Sequence, residues 1–218
     1  MNRKEIKEQA KAKIKGNKWN IIWPVLLIGL VESVLENVLG LNPYAGVDFS
    51  NSEALMNVDI PPKVEIGLFV VGLIMAIVMV GYKKYILNFV RNGKFEFNDI
   101  IDCIKEKWLN ILVASFLMYI VVFACTLLFV VPGIIMALAY AMVAYIVIDT
   151  DLSGVDAMKK SRAMMKGYKW DYFVFVLSFI GWALLIPFTL GLILIWLYPY
   201  ITVADTLYYE KLKEITKE

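Results

Sequence analysis

The feature that most constrains this chain is a series of uninterrupted apolar segments, each about as long as a membrane is thick. A helix needs about 20 apolar residues to cross roughly 30 Å of hydrocarbon. Segments of this kind begin near residues 19, 65, 108, 133, 170 and 190. Because 60% of the 218 residues are hydrophobic and only 19% are charged, a soluble core does not account for them. The sequence therefore predicts an integral membrane protein.

The predicted architecture is an all-α polytopic membrane protein with six transmembrane helices. The spans cover about 19–40, 65–82, 108–131, 133–149, 170–187 and 190–208. They form three helical hairpins, at about 19–82, 108–149 and 170–208, within a single membrane domain, 1–218. Pro132-Gly133 and residues 186–191 divide the two longest apolar runs, because proline interrupts a helix and glycine tolerates a reversal.

Basic residues fall almost entirely on one side of this arrangement. Of the 22 Lys and Arg residues, all except Lys63 lie before span one, between spans two and three, between spans four and five, or after span six. Lys63 ends the segment 41–63, which otherwise carries Asp48, Glu53 and Asp59. Since basic loops are retained in the cytoplasm, both termini are predicted to be cytoplasmic, and segment 41–63 is predicted to be an external loop.

A short Lys-Trp motif precedes the first, third and fifth predicted spans. It reads KGNKW at 15–19, KEKW at 105–108 and KGYKW at 166–170. Lysine can reach headgroup phosphates while tryptophan lies at the membrane interface. We interpret the motif as a topology signal and interfacial anchor, with lipid-headgroup binding as the alternative. The residues concerned are Lys15, Lys18, Trp19, Lys105, Lys107, Trp108, Lys166, Lys169 and Trp170.

The segments ahead of these motifs show the apolar spacing of a helix face. The apolar positions are Ile6, Ala10 and Ile14; Ile100, Ile101 and Ile104; and Val155, Met158 and Met165. Asn98 is a candidate cap for the second segment, and Ser153 with Asp156 forms a capping-box pattern in the third. We therefore predict a cytoplasmic amphipathic helix on the membrane surface before each hairpin.

The residue types present limit the chemistry available to the chain. It contains no histidine and only two cysteines, Cys103 and Cys125, which excludes His-based acid-base catalysis and a tetrahedral Cys/His metal site. No nucleophile-base pair, phosphate-binding loop or nucleic-acid motif is present. We predict a protein that is not an enzyme and that needs no metal, cofactor or nucleic acid.

Four polar residues form one stripe of the first predicted span: Glu32, Ser33, Glu36 and Asn37. Ionisable residues within a span are costly and therefore mark candidate functional sites. Two carboxylates at this spacing resist joint ionisation and could share a proton or a cation. Two interpretations remain open: the stripe lines a cavity, or it faces outer water and both carboxylates are hydrated.

Asp205 is a further candidate polar residue, near the cytoplasmic end of the sixth predicted span. An ion pair with Lys83, Lys84 or Arg91 would link two hairpins, and we favour this structural role over catalysis.

Small residues recur at helical spacing in two predicted spans, as Gly72-x3-Ala76 and Ala137-x3-Ala141. Such patterns permit close helix approach within one protein or between copies. The predicted partners are membrane lipids and either another membrane protein or a second copy of the chain.

Five short segments carry a family resemblance: VPGII at 131–135, MMKG at 164–167, LSFIGW at 177–182, TLG at 189–191 and WLYPY at 196–200. They resemble the bacterial integral membrane proteins grouped as domain of unknown function 975, most closely over 131–209. Tyr168, where many members are expected to carry histidine, and the acidic segment 41–63 depart from that pattern. The resemblance implies a multi-pass protein of the bacterial inner membrane and no catalytic residues.

Two functions from different classes fit these observations. The favoured hypothesis is a non-enzymatic accessory or scaffold protein that interacts with lipids. The alternative is a transporter of a small molecule, ion or lipid that uses the Glu32 and Glu36 stripe. Three hairpins of one orientation do not form the inverted repeat common among secondary transporters, which favours the first hypothesis.

Overall fold

The computed structural model describes residues 2–43 and 60–216, which form helices and contain no strand. The helices are α1 Arg3–Ile14, α2 Lys18–Val38, α3 Pro62–Asn92, α4 Asn98–Leu128, α5 Val130–Ala139, α6 Val143–Asp149, α7 Gly154–Met164, α8 Lys169–Leu177, α9 Ile180–Ala183 and α10 Leu194–Thr216, with a 3-10 turn at Pro187–Thr189. Most of the predicted external loop, residues 44–59, lies outside the described residues.

Within the described residues, five stretches are long and apolar enough to cross a membrane, judged by length and composition. They are Lys18–Val38, Pro62–Asn92, Asn98–Leu128, Val130–Asp149 and Lys169–Thr189. The prediction of an all-helical chain with several helices suited to a membrane is confirmed. Helix α10, which contains most of the predicted sixth span, is not among the five and carries Asp205, Glu210 and Lys211.

Two helices extend beyond their predicted spans. Helix α3 continues past residue 82 to Asn92, and Gly93, with a φ of 70°, ends it. Helix α4 begins at Asn98 and passes Trp108 without a break, so the second predicted surface helix and the third span form one element. Asn98 is the first residue of this helix, and Phe97 at the cap position makes no side-chain capping hydrogen bond.

The two predicted reversals have different outcomes. The first lies at Phe129, whose backbone is extended with φ −158° and ψ 145°, and not at Pro132-Gly133. Pro132 belongs to the first turn of α5, where a proline has no intrahelical N–H bond to lose. The second reversal is found where it was predicted, with positive φ at Leu190 (48°) and Gly191 (81°).

The glycine of the Lys-Trp motif decides whether a helix ends at the motif. Gly16 separates α1 from α2 with a φ of 93°, and Gly167 separates α7 from α8 with a φ of 87°. A residue with a Cβ is strained in this left-handed region. The copy at 105–108 has no glycine, and α4 continues through it.

Side-chain caps fix the start of two helices in the predicted surface segments. Ser153 Oγ accepts a hydrogen bond from the Asp156 amide at 3.2 Å, which confirms the predicted cap of α7. The Ser153 hydroxyl, which donates to the Asp156 carboxylate at 2.7 Å, lowers the pKa of Asp156, and Lys159 lowers it further. At α1, Asn2 Oδ1 accepts from the Glu5 amide at 3.3 Å.

The apolar faces of α1 and α7 are buried inside the protein. Ile6 and Ala10 are fully buried and Ile14 is nearly so, and α1 packs chiefly against α10. In α7, Ala157 and Met158 are buried while Val155 is exposed. A helix is thus present in each of these two segments, but its buried apolar residues contact other helices, whereas the sequence analysis placed them on a membrane surface.

Burial is uneven along the molecule. Tight packing is concentrated in what we call the basic layer, formed by α1, α7, residues 83–107 and the second half of α10. In the most apolar part of each membrane-suited helix, by contrast, only 11–44% of residues are buried within the protein. The remaining apolar side chains of these segments lie on the outside of the protein, where contact with lipid hydrocarbon is favourable.

Candidate functional site

A groove of about 800 Å³ lies between α3, α4 and the α5–α6 segment. We call it the α3–α4 groove. It runs from Phe69 to Lys83 on α3, from Ile111 to Thr126 on α4 and from Ala137 to Val147 on α5 and α6. Ligand pockets typically measure about 300–1,000 Å³ and have largely apolar walls. The size and lining therefore suit an apolar or amphipathic ligand.

Small residues create the space in this groove. Gly72, Ala76, Ala137 and Ala141 all line it, and a Cβ added to Gly72 would meet no heavy atom within 4 Å. Helices α3 and α4 approach closely at Gly81, where an added Cβ would lie 3.0 Å from the Ile100 carbonyl oxygen. Helices α3 and α4 are thus in contact near the basic layer, and the groove lies between them around Gly72 and Ala76.

Lys83 is the one charged residue among the described residues that line the groove. Its Nζ lies 3.5 Å from Asp205 Oδ2 and 4.7 Å from the centroid of the Tyr145 ring. The predicted pairing of Asp205 with a basic residue of α3 is confirmed, and the partner is Lys83. An ammonium over an aromatic face gains further electrostatic stabilisation.

Two tyrosines complete the surroundings of Asp205, which is only 8% exposed. The Tyr172 hydroxyl donates to Oδ1 at 2.7 Å, and the Tyr145 hydroxyl donates to Oδ2 at 3.1 Å. The sequence analysis identified neither tyrosine as a partner of Asp205. No local sequence pattern indicates that these tyrosines pair with Asp205 of α10, because the partners are far apart in the sequence.

A second polar cluster joins α3, α6 and α10 through Asp149, whose side chain is 7% exposed. Arg91 donates to both carboxylate oxygens of Asp149 at 2.7 and 2.6 Å, and to Glu210 at 2.6 Å. Tyr209 and Lys213 donate to Asp149 Oδ2 at 2.9 and 2.8 Å. The sequence analysis did not identify this Asp149 cluster. The position of Asp149, an acidic residue at the end of the apolar segment 130–149, could have indicated that it needs a basic partner.

The polar stripe of α2 lies away from the groove. Glu32 and Glu36 are half-buried, Ser33 and Asn37 are exposed, and none of the four lines the groove. The Asn37 amide donates to the Ser33 carbonyl oxygen at 2.8 Å. The helix is anchored by residues nearer its start, where Ile21, Pro24 and Ile28 are buried.

The three tryptophans of the Lys-Trp motifs are all exposed, Trp19 by 72%, Trp108 by 50% and Trp170 by 73%. The lysines differ among themselves. Lys107 donates to the Thr150 carbonyl oxygen at 2.6 Å and to Asp151 at 2.8 Å, and so caps the end of α6. Lys169 is half-buried, and the exposed motif lysines are Lys15, Lys18, Lys105 and Lys166.

The described residues include no group of three or more Cys, Asp or Glu side chains suited to hold a metal ion. The part of the chain that the structure describes is helical and has five stretches suited to a membrane, an apolar groove and buried ion pairs, which are features of a multi-pass helical membrane protein. The model of a family described as "Protein of unknown function (DUF975)" matches residues 1–139 and 117–216, and the chain belongs to this family. Neither the curated proteins nor the solved structures give a match.

Proposed function

We propose that this protein is a non-enzymatic, lipid-interacting accessory protein of the bacterial cell membrane, and that the α3–α4 groove holds an acyl chain of a membrane lipid. The groove itself carries the proposal. It is large, its walls are apolar, and small side chains keep it open. In a bilayer, the hydrocarbon of neighbouring lipids is available to fill the groove, where it makes dispersion contacts with the apolar walls.

The proposal takes α10 as the sixth span, so that the chain forms three hairpins with both termini in the cytoplasm. The one-sided distribution of Lys and Arg supports this orientation. The acidic residues of α10 are compatible with a span that ends near the interface, because Asp205 pairs with Lys83 and Glu210 pairs with Arg91. Pairing of this kind lowers the cost of removing a charge from water.

The exposed tryptophans and lysines of the motifs support an anchoring role at the cytoplasmic interface. A tryptophan ring there lies partly in lipid, while lysines reach headgroup phosphates. In this proposal the basic layer is the surface that meets another membrane protein or a second copy of the chain.

The transporter alternative finds less support. It requires the stripe of Glu32 and Glu36 to line a pathway, and neither residue lines the groove. Replacing Glu32 with Gln is therefore expected to leave lipid binding unchanged.

A phenylalanine at position 72 tests the groove directly. The open space at Gly72 accepts a larger side chain without a clash, so Gly72→Phe is expected to fold and to fill the groove. We expect the variant purified in a neutral detergent to retain about tenfold less lipid, measured by mass spectrometry of the bound lipid. Gly29→Phe is the matched control, because Gly29 also lies in a helix with open space around it and does not line the groove. Equal lipid retention in both variants would contradict the proposal.

A further inference from the structure

We infer that the lipid in the α3–α4 groove is an anionic glycerophospholipid whose headgroup binds the Lys83 ammonium. This inference rests on the proposed function, because it requires the groove to hold the acyl chain. It adds a ligand class and names the residue that selects it.

The groove has one charged end. Its lining residues on α3 extend from Phe69 to Lys83, a length of about 21 Å at about 1.5 Å per residue. One leaflet of a bilayer contributes about 15 Å of hydrocarbon. An acyl chain can therefore lie along the apolar walls while its headgroup stays at Lys83, which the proposed topology assigns to the cytoplasmic interface.

Lys83 has the capacity to bind a further anion. Its ammonium carries three donors, and Asp205 is the one carboxylate within ion-pair distance of it among the described residues. Asp205 also accepts hydrogen bonds from Tyr145 and Tyr172. A headgroup can thus take a donor from Lys83 without leaving the buried carboxylate unsatisfied. The Lys83 side chain is 24% exposed, so a ligand can reach it.

The charge of Lys83 distinguishes lipids by their headgroups. A phosphate without a neighbouring cation gains a charge-assisted hydrogen bond from the ammonium. A zwitterionic headgroup brings a second cation close to Lys83, and the repulsion offsets part of that gain. Lys84 is next in sequence and does not line the groove, so that it provides a matched control of equal charge.

The test compares phosphatidylglycerol with phosphatidylcholine carrying the same acyl chains. Each lipid is titrated into the full-length protein in neutral detergent, and binding is read from the rise in the thermal unfolding midpoint. We expect the wild type to bind phosphatidylglycerol about tenfold more tightly, a preference that Lys83→Gln removes. Lys83→Arg keeps the charge and is expected to keep the preference, as is Lys84→Gln.

Each other outcome has a definite meaning. If Lys83→Gln keeps the preference while Gly72→Phe binds neither lipid, the groove holds lipid but Lys83 does not select it, and only this inference fails. If the wild type binds the two lipids equally, this inference also fails, whatever the variants do. If Gly72→Phe binds both lipids as the wild type does, the proposed function also fails. Loss of a dimer in Gly72→Phe with unchanged lipid binding would assign the groove to a second copy and overturn both.

Discussion

At the scale of single residues, Asp205 shows how a carboxylate is accommodated in a largely apolar helix. Its partners come from three other helices: Lys83 from α3, Tyr145 from α6 and Tyr172 from α8. A buried charge is costly unless such partners satisfy it. The hydrogen bonds to Asp205 therefore stabilise the packing of these helices around α10.

Removing one of these hydrogen bonds is expected to be costly. Tyr172→Phe deletes the donor at 2.7 Å and should lower the free energy of unfolding by about 1.5–3 kcal/mol, the range for a hydrogen bond to a charged group. Chemical denaturation in detergent measures the change. Tyr119→Phe, at a ring that is 57% exposed, serves as the control and should cost less than about 0.5 kcal/mol. Equal losses would show that the Tyr172 hydroxyl does not stabilise Asp205.

At the scale of elements, the Lys-Trp motif has two structural forms. Where it contains glycine, one helix ends and another begins in a new direction, and where it reads KEKW, α4 continues as a single helix. Three similar strings of residues therefore produce two kinds of connection, because one glycine at a positive φ changes the path of the chain.

A substitution at Gly167 measures how strongly the turn requires glycine. Gly167→Ala introduces a Cβ at a φ of 87° and should destabilise the protein by about 1–2 kcal/mol. The matched substitution Gly29→Ala lies inside α2, where an added Cβ meets no heavy atom within 4 Å, and should stabilise by up to about 1 kcal/mol. Thermal unfolding of both variants provides the comparison. A neutral Gly167→Ala would mean that the turn does not need glycine.

At the scale of the whole molecule, a tightly packed basic layer holds together helices that are loosely packed elsewhere. The Asp149 cluster joins the end of α6 to Arg91 of α3 and to the second half of α10, which both belong to this layer. The α3–α4 groove opens beyond it, where small side chains leave space between the helices. We expect the basic layer to carry most of the stability and the groove to adapt to its ligand.

Asp149→Asn tests the contribution of this cluster. Neutralising a carboxylate whose side chain is 7% exposed leaves Arg91 and Lys213 without their shared partner, and the expected loss is about 3 kcal/mol. Asp151→Asn is the control, since that side chain is fully exposed and solvent screens its ion pair with Lys107. Both are measured by unfolding in detergent. Similar losses for the two variants would argue against a stabilising role of the cluster.

The proposed orientation predicts where labels can reach. In a protein with Cys103 and Cys125 replaced by alanine, Ser52→Cys should react with a membrane-impermeant thiol reagent added outside intact cells. Ser153→Cys, at the cap of α7, should react only after the membrane is permeabilised. Labelling of Ser153→Cys from outside would contradict both the orientation and the six-span arrangement.

The sequence by itself determined the class of protein, the family and the local features of the chain. The apolar runs, the reversal at 186–191 and the cap at Ser153 each depend on residues close together in sequence, so they could be predicted from spacing and residue type. It also indicated that Asp205 needs a basic partner, because a charge in an apolar helix is costly wherever the helix lies.

Only the tertiary structure decided which surfaces meet. Gly72 and Ala137 had the same small-residue signal as a tight helix interface, yet in the structure both line the α3–α4 groove. Arg91 and Asp149 meet, and Tyr172 reaches Asp205, because helices distant in sequence cross at particular positions. Crossing positions depend on how all the side chains pack together, and no local pattern carries that information.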